Sequence, residues 1–270
     1  MADGQGLEVS ALEAGYDRLQ VLHGIDVSVR PGELVAVIGA NGAGKSTLLR
    51  AVSGLIKPRR GTVRLAGQDV TTSSAERIAR LGLAHVPENR LVFPSLTVDD
   101  NLALGGWTRH RDGQFGQRRQ EAFALFPRLA DRTVLPAGAL SGGEQQMLAM
   151  ARALMSDPSV IVLDEPSLGL APRVVGEIIS ALGRLRDERG LAILLVEQNI
   201  RAAFMVADHV LVMDRGHVIA VGTPAELAGD ERVRTAYLGG GPASTDTSTG
   251  LSPGTSSGAA PGAATTKEQP

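Results

Sequence analysis

A glycine-rich turn at residues 39–47, with the sequence GANGAGKST, constrains the fold of this chain more than any other feature. It follows a short apolar run at residues 34–38 that is typical of a buried strand, and it leads into residues 46–55, whose apolar side chains recur at helical spacing. The glycines leave backbone N–H groups free to surround an anion, and the helix adds the positive end of its dipole. Strand, glycine turn and helix in this order therefore predict a phosphate-binding loop.

Two side chains of this loop add chemistry to the backbone. Lys45 supplies a cation for the β- and γ-phosphates of a nucleotide, and the hydroxyl of Ser46 is placed to bind Mg²⁺. A glycine turn with an unrelated lysine is the simpler alternative, but the full pattern arises by chance in only roughly 1% of chains of this length. The predicted nucleotide-binding residues of the loop are Gly39, Ala40, Asn41, Gly42, Ala43, Gly44, Lys45, Ser46 and Thr47.

The composition limits the possible functions. A chain of 270 residues with 43% hydrophobic content can build a substantial core as one large domain or two small ones. Its formal net charge of −2 gives no general attraction to nucleic acid, so no nucleic-acid partner is expected. The absence of cysteine excludes disulfides and thiolate metal sites. No signal-peptide pattern and no apolar stretch near the roughly 20 residues that span a bilayer occur, so we predict neither secretion nor a membrane span.

Alternating strand and helix patterns predict an α/β fold. Two apolar runs before the glycine turn, residues 7–15 and 21–30, are typical of paired antiparallel strands. After the turn, amphipathic helices separate most of the further predicted strands, at 61–67, 83–87, 160–163, 191–196, 209–213 and 217–221. We therefore expect a mostly parallel sheet covered on both faces, an N-terminal antiparallel β subdomain, and the glycine loop at the carboxyl end of its strand.

A helical insertion interrupts this alternation. Helical periodicity runs through residues 98–104, 115–129 and 142–155, which predicts a helical subdomain at about 97–155. Its arginines are interspersed with acidic residues, and this favours a solvated helix face over a nucleic-acid-binding surface.

The composition of the chain changes near its C-terminus. Two short helices are expected to end the globular domain near Leu238, which gives a domain at residues 7–238. Residues 239–270 consist largely of Gly, Ala, Ser, Thr and Pro, and such a segment cannot bury enough apolar surface to offset its ordering entropy. We predict a disordered tail there.

Two acidic residues, Asp164 and Glu165, directly follow the apolar run of residues 160–163. A buried strand that ends in two acids places both at the sheet edge where the glycine loop opens. Asp164 can then hold the Mg²⁺ that Ser46 binds, and Glu165 can orient and deprotonate an attacking water. The simpler alternative is a strand end with solvated acids, which is common for one acid and less common for a pair beside such a loop.

A second candidate anion site lies in the sequence LSGGEQQ at residues 140–146. Ser141 is a suitable N-cap, and the glycines that follow leave the N–H groups of a helix start accessible. Because one nucleotide does not need two such sites, the second one is predicted to serve a phosphate held by another subunit. A capped helix start without a ligand explains these residues equally well.

The motifs GANGAGKS, LSGGEQQ and VIVLDEP, in this order and spacing, resemble the Walker A, signature and Walker B motifs of the ATP-binding cassette (ABC) superfamily. The resemblance covers residues 7–238 and implies a P-loop NTPase of the ABC type that dimerises head to tail. Two ATP molecules would lie between the Walker motifs of one subunit and the signature of the other, here Ser141, Gly142, Gly143 and Glu144. Tyr16 would stack on adenine, although by itself it is an ordinary aromatic at a strand end.

Two positions depart from the general superfamily pattern. Glu88, in VPENRLVF, stands where Gln is usual, and Gln198, in LLVEQN, stands where the switch histidine is usual. Both departures, with PSLGLAP and VRTAYLGG, resemble the second ATP-binding subunit of branched-chain amino-acid importers of the Liv type. Asn89 differs from that branch, in which VPEGR is usual. Glu88 would add a carboxylate near Mg²⁺, and Gln198 would contact the γ-phosphate as an amide that cannot shuttle a proton.

The resemblance implies an ATPase that energises import of branched-chain amino acids from the cytoplasmic face of the cell membrane, with Glu165 and Gln198 as catalytic residues. The implied partners are two membrane permease subunits, which would contact the groove beside residues 88–93, a paralogous ATP-binding subunit and an extracytoplasmic solute-binding protein.

Three rival functions are compatible with parts of this pattern. A urea or short-amide importer is the rival within the class of importers. A soluble ABC ATPase of translation or DNA repair is usually built with two cassettes or a long coiled coil, and this chain shows neither pattern. A P-loop kinase of a small metabolite has no use for LSGGEQQ. The import of branched-chain amino acids is therefore the favoured hypothesis.

Overall fold

The computed structural model describes residues 6–230, and within them the chain forms ten strands and nine α-helices. The strands are β1 (Leu7–Tyr16), β2 (Leu19–Val29), β3 (Leu34–Gly39), β4 (Arg60–Leu65), β5 (Gln68–Asp69), β6 (Leu83–Val86), β7 (Val160–Asp164), β8 (Ala192–Glu197), β9 (His209–Asp214) and β10 (His217–Gly222). The helices are α1 (Lys45–Val52), α2 (Ala75–Arg80), α3 (Val98–Gly105), α4 (Phe115–Leu125), α5 (Pro127–Ala130), α6 (Gly142–Leu154), α7 (Pro172–Arg189), α8 (Ile200–Phe204) and α9 (Pro224–Ala228).

The strands form two sheets. A four-stranded antiparallel sheet has the order β2-β1-β4-β5, and a six-stranded sheet has the order β10-β9-β3-β8-β7-β6. In the larger sheet every neighbouring pair is parallel except β9 with β10. The predicted α/β class, with a mostly parallel sheet and an antiparallel N-terminal unit, is confirmed. Because β8 separates β3 from β7, the ends of these three strands meet at one edge of the sheet.

Both faces of the larger sheet are covered, as the continuous apolar strands predict. In β7, Ile161 and Leu163 pack in a cluster with α6 and α7, whereas Val160 and Val162 pack against α1 and the antiparallel sheet. Alternate side chains of a strand point to opposite faces, so each of these strands contributes to two cores. The phosphate-binding loop therefore starts from a strand that is buried along its whole length.

Several predicted boundaries were wrong. The helix predicted at 115–129 is broken at Phe126, whose φ of −127° and ψ of 74° are not helical, because a residue before proline is disfavoured in the α region. The helix after the glycine loop ends at Val52 instead of residue 55, since Gly54 takes a left-handed φ of +70°. β1 continues to Tyr16, one residue beyond the strand predicted at 7–15.

Other predictions stay untested. The helix near Leu238 and the tail at 239–270 lie outside the described residues, and the domain limits of 7–238 and 97–155 remain predictions. Among the helices of residues 6–230, none combines the length and the apolar character that crossing a bilayer requires.

The segment between β6 and α3 is held by Asn101, which is fully buried. Its Oδ1 accepts a hydrogen bond from Phe93 N at 2.9 Å, and its Nδ2 donates to the carbonyl oxygens of Phe93 and Thr97 at 3.1 and 2.9 Å. These bonds join the backbone of Phe93 and Thr97 to a side chain of α3. Asn101 therefore fixes the segment 88–93 at its last residue, Phe93.

Candidate active site

A cavity of about 530 Å³ opens at the sheet edge where β3, β7 and β8 end. The structure brings together there most of the side chains predicted from the sequence, which are Tyr16, Asn41, Gly42, Ala43, Gly44, Lys45, Ser46, Thr47, Glu88, Glu165 and Gln198. Gly39 and Ala40 contribute carbonyl oxygens just behind Lys45, and Asp164 contacts Ser46. The predicted signature residues do not line this cavity.

The Lys45 side chain is buried at the bottom of the loop, with 4% of it exposed. Its Nζ donates to Gly39 O at 2.8 Å and lies 3.1 Å from Glu165 Oε1. The loop geometry matches a phosphate cradle, because Gly42 and Gly44 take φ values of +83° and +104° that suit glycine. The ammonium therefore lies between two carbonyl oxygens, of Gly39 and Ala40, and one carboxylate, where an entering phosphate would compete with Glu165.

Ser46 and Asp164 are 118 residues apart in the chain, yet the Ser46 hydroxyl donates to Asp164 Oδ1 at 3.1 Å. Adjacent oxygen ligands of an octahedral Mg²⁺ are about 3 Å apart, so this pair fits two neighbouring coordination positions. Burial raises the pKa of Asp164, and the nearby carboxylates of Glu165 and Glu88 act in the same direction. Among residues 6–230, no group of three or more His, Cys, Asp or Glu side chains is arranged to hold a metal ion.

Glu165 is positioned by its own backbone. Its φ of 47° is unusual for a residue with a side chain, and its N–H donates to Val196 O of β8 at 2.9 Å. This turn directs the carboxylate to Lys45 at the cavity wall, and Gln198 lines the same wall. The two residues predicted to be catalytic thus share one cavity.

A buried carboxylate that the sequence analysis missed, Glu197, lies directly behind this wall. Its Oε1 accepts from Ser167 N at 3.0 Å, and its Oε2 accepts from the Ser167 hydroxyl and from Asn199 N at 2.9 and 3.2 Å. Burial raises the pKa of Glu197, although these three hydrogen bonds act to lower it. An acid at the end of the buried strand β8 repeats the pattern that identified Asp164 at the end of β7.

We predict that Glu197→Gln lowers kcat for ATP hydrolysis by about tenfold with little change in KM. An amide cannot accept all three hydrogen bonds, and losing one charged-group bond corresponds to roughly 1.5 kcal/mol, so the segments that carry Glu165 and Gln198 would move apart. Steady-state hydrolysis by the assembled protein would measure this. The matched control is Glu188→Gln on α7, an exposed carboxylate paired with Arg184. Equal kinetics of the two variants would contradict the positioning role.

Tyr16 lies at the cavity rim, partly exposed, and its hydroxyl accepts a hydrogen bond from Arg50 Nη1 at 2.9 Å. Arg50 belongs to α1, so the helix that begins at the phosphate loop also fixes the ring predicted to stack on adenine. Nothing in the local sequence around Arg50 indicates this contact. Adenine stacking stays a prediction.

The predicted signature forms the N-terminus of α6, a helix of 13 residues. Ser141 is its N-cap, and the Glu144 carboxylate accepts from the backbone N–H and the hydroxyl of Ser141 at 2.9 and 2.8 Å. Burial acts to raise the pKa of Glu144, but these bonds and Arg132, 3.2 Å away, lower it. The first N–H groups of an α-helix have no intrahelical partner, so this helix start can accept an anion.

Comparisons with known proteins agree with this geometry. The family model for ABC transporters matches residues 22–168, and that for branched-chain amino acid ATP-binding cassette transporters matches residues 217–243. The chain is 45% identical, over 83% of its length and 96% of the relative, to the high-affinity branched-chain amino acid transport ATP-binding protein BraG of Pseudomonas aeruginosa. It is 37% identical, over 86% of its length and 98% of the relative, to the probable branched-chain amino acid transport ATP-binding protein LivF of Archaeoglobus fulgidus.

A solved structure extends the similarity to the fold. A nucleotide-free ATP-binding cassette from an ABC transporter superposes with a TM-score of 0.75 at 26% identity, over 86% of this chain and 98% of that chain. The matched family region contains the glycine loop, the signature and the paired acids in their predicted order. The chain therefore belongs to the ABC transporter family and is one of its ATP-binding, ATP-hydrolysing proteins.

Proposed function

We propose that this chain energises the import of branched-chain amino acids. The observation that carries the proposal is the similarity to BraG over nearly the full length of that protein. The match of residues 217–243 to the branched-chain cassette family supports it from a different part of the chain. Glu88 and Gln198, the two departures that resemble this branch, both line the nucleotide cavity.

ATP would bind with its phosphates in the glycine loop and its adenine against Tyr16. The entering phosphate would take Lys45 from Glu165, since both are anions within reach of one buried ammonium. Ser46 and Asp164 would hold Mg²⁺, which neutralises phosphate charge when bound. Glu88 lines the same cavity and adds a carboxylate near Asp164.

The replacement of Glu165 by phosphate beside Lys45 would also prepare the site for hydrolysis. Once phosphate replaces it beside Lys45, Glu165 becomes available to deprotonate a water that attacks the γ-phosphate. Gln198 would orient that water and contact the γ-phosphate through its neutral amide. Glu197 would keep both residues in place through Ser167 and Asn199.

The signature would act on the nucleotide of a second subunit. The N-terminus of α6 carries a capped, glycine-rich anion site that lies outside the chain's own nucleotide cavity. A head-to-tail pair, formed with a paralogous ATP-binding subunit, would bring each signature to the other subunit's ATP. ATP would close this pair, and hydrolysis would reopen it.

A second cavity, of about 710 Å³, would receive the permease. It lies between residues 84–87, α2, α3 and α6, and its lining is largely apolar, with partly exposed Leu55, Phe93, Leu104 and Trp107. An exposed apolar groove of this size is typical of a protein interaction site. Two permease subunits and an extracytoplasmic solute-binding protein would complete the transporter, with this chain on the cytoplasmic face of the membrane.

The test is uptake of labelled leucine, valine and urea by the native host, with the wild-type gene replaced by Glu165→Gln. We expect leucine and valine uptake to be lost and urea uptake to stay unchanged. Glu188→Gln, an exposed carboxylate far along α7, is the matched control and should transport normally. Loss of urea uptake alone would favour the urea and short-amide importer, and unchanged uptake of all three solutes would contradict an import role.

A further inference from the structure

The loop between β6 and α3, here called the bridge loop and defined as residues 88–93, reaches from the nucleotide cavity to the signature. Glu88 at its start lines the cavity. Arg90, two residues later, lies against Gly142 at the start of α6. A Cβ built on Gly142 would be 3.1 Å from Arg90 Nη1, 3.2 Å from Nη2 and 3.4 Å from Cζ, so the whole guanidinium covers this glycine.

The backbone of the bridge loop is held in an unusual conformation. Arg90 and Leu91 have φ values of 60° and 47°, in the left-handed region that favours glycine. Arg152, from α6, donates to Leu91 O at 2.7 Å and to Arg90 O at 3.4 Å, and its guanidinium lies 5.3 Å from the centre of the Phe93 ring. The helix that begins with the signature therefore fixes the loop that carries Arg90.

Asn89, where the related branch usually has glycine, is not among the residues with positive φ. The left-handed residues are the two that follow it. Asparagine therefore fits this position without backbone strain, and the departure from glycine does not disturb the bridge loop.

Arg90 has no ion-pair partner in the part of the chain that the structure describes. Within residues 6–230, no carboxylate oxygen lies within 4.0 Å of its guanidinium nitrogens. Glu144, the acid of the signature, is paired instead with Arg132 at 3.2 Å and hydrogen bonded to Ser141. A cation thus lies over a glycine whose own N–H group points out of the helix start with no intrahelical acceptor.

We propose that Arg90 binds the terminal phosphate of the ATP held by the partner subunit, together with Ser141, Gly142 and Gly143. The inference rests on the proposed function, in which the signature faces the partner's nucleotide. A guanidinium offers several donors and a full charge to phosphate oxygens, whereas the helix start alone offers only partial charge. The bridge loop would then place Glu88 at its own nucleotide and Arg90 at the other, so each bound ATP would help to order both sites.

The experiment measures ATP-driven closure of the assembled transporter with distance probes on its two ATP-binding subunits, in a Glu165→Gln background that retains ATP. We expect Arg90→Gln, which keeps an N–H donor but is shorter and loses the charge, to raise the ATP concentration for half-maximal closure by about 10- to 100-fold. Arg90→Lys should restore most of this loss. Arg64→Ala, on the exposed face of β4, is the control and should close like the parent protein.

A second measurement separates this role from a general disturbance of the loop. ADP binding by the isolated full chain should be the same for Arg90→Gln and wild type, because ADP has no γ-phosphate and is held by the chain's own glycine loop. An unchanged ATP dependence of closure, or a parallel loss of ADP affinity, would overturn the inference. If the Glu165→Gln transporter itself did not close with ATP, the proposed function would fail, and this inference with it.

Discussion

Glu165→Gln is expected to lower ATP hydrolysis by about 10²- to 10⁴-fold, the range that a positioned general base contributes. The side chain keeps its size and its place in the turn after β7, where the Glu165 N–H donates to Val196 O. Only the ability to accept a proton from water is removed. Steady-state hydrolysis by the assembled protein measures the loss.

The same substitution should tighten ATP binding. In the protein, the Glu165 carboxylate lies 3.1 Å from the buried Lys45 ammonium, where it competes with phosphate. A neutral amide competes less, so we expect the Kd for ATP to fall while kcat falls. Glu76→Gln, an exposed carboxylate on α2, is the control for changing a charge. A loss of ATP binding that matches the loss of hydrolysis would show instead that Glu165 has a structural role.

Acid should destabilise the protein through His85. Burial, together with the positive charge of Arg50, lowers the pKa of His85 from 6.5 to about 4. The unfolded chain therefore takes up this proton at a higher pH than the folded one. The resulting stability is fully present above pH 6.5 and is lost as the pH falls towards 4, by about 3 kcal/mol in total.

The measurement compares the free energy of unfolding of wild type and His85→Asn from pH 7 to pH 4. Asparagine keeps a polar atom near the position of His85 Nδ1, which is 3.1 Å from the Ser53 hydroxyl. We expect the advantage of wild type over the variant to shrink by about 3 kcal/mol across this range. His110→Asn changes an exposed histidine and is the control for the loss of a ring. A difference that is constant with pH would contradict the buried, neutral state of His85.

Local patterns carried most of the functional prediction. The glycine loop, the paired acids and the signature are each formed by consecutive residues, and their chemistry depends on a turn, a strand end or a helix start. The family relation confirms the ATPase that these patterns predicted. Boundaries were less predictable, since Pro127 acts on Phe126 through a steric effect that apolar periodicity does not contain.

Contacts between distant residues were not predictable in detail. Glu197 has the pattern of an acid at the end of a buried strand. Its proposed positioning role, however, depends on hydrogen bonds from Ser167, which is 30 residues away. Arg152 meets the carbonyl oxygen of Leu91 across 61 residues. Nothing in either local sequence indicates which of many surface arginines is held in this way.

The sequence by itself determined that the chain binds and hydrolyses ATP. The glycine loop that holds phosphate and the pair of acids after β7 are each formed by consecutive residues, so both can be read from the local sequence. Tertiary structure decided the contacts that hold the groups of the site in place. The sheet order, with β8 between β3 and β7, brings Ser46 to Asp164 and sets Glu197 behind Glu165. The packing of α6 against the bridge loop sets Arg90 over Gly142. Such contacts depend on how strands and helices pack across the whole chain, and no local pattern of residues encodes that packing.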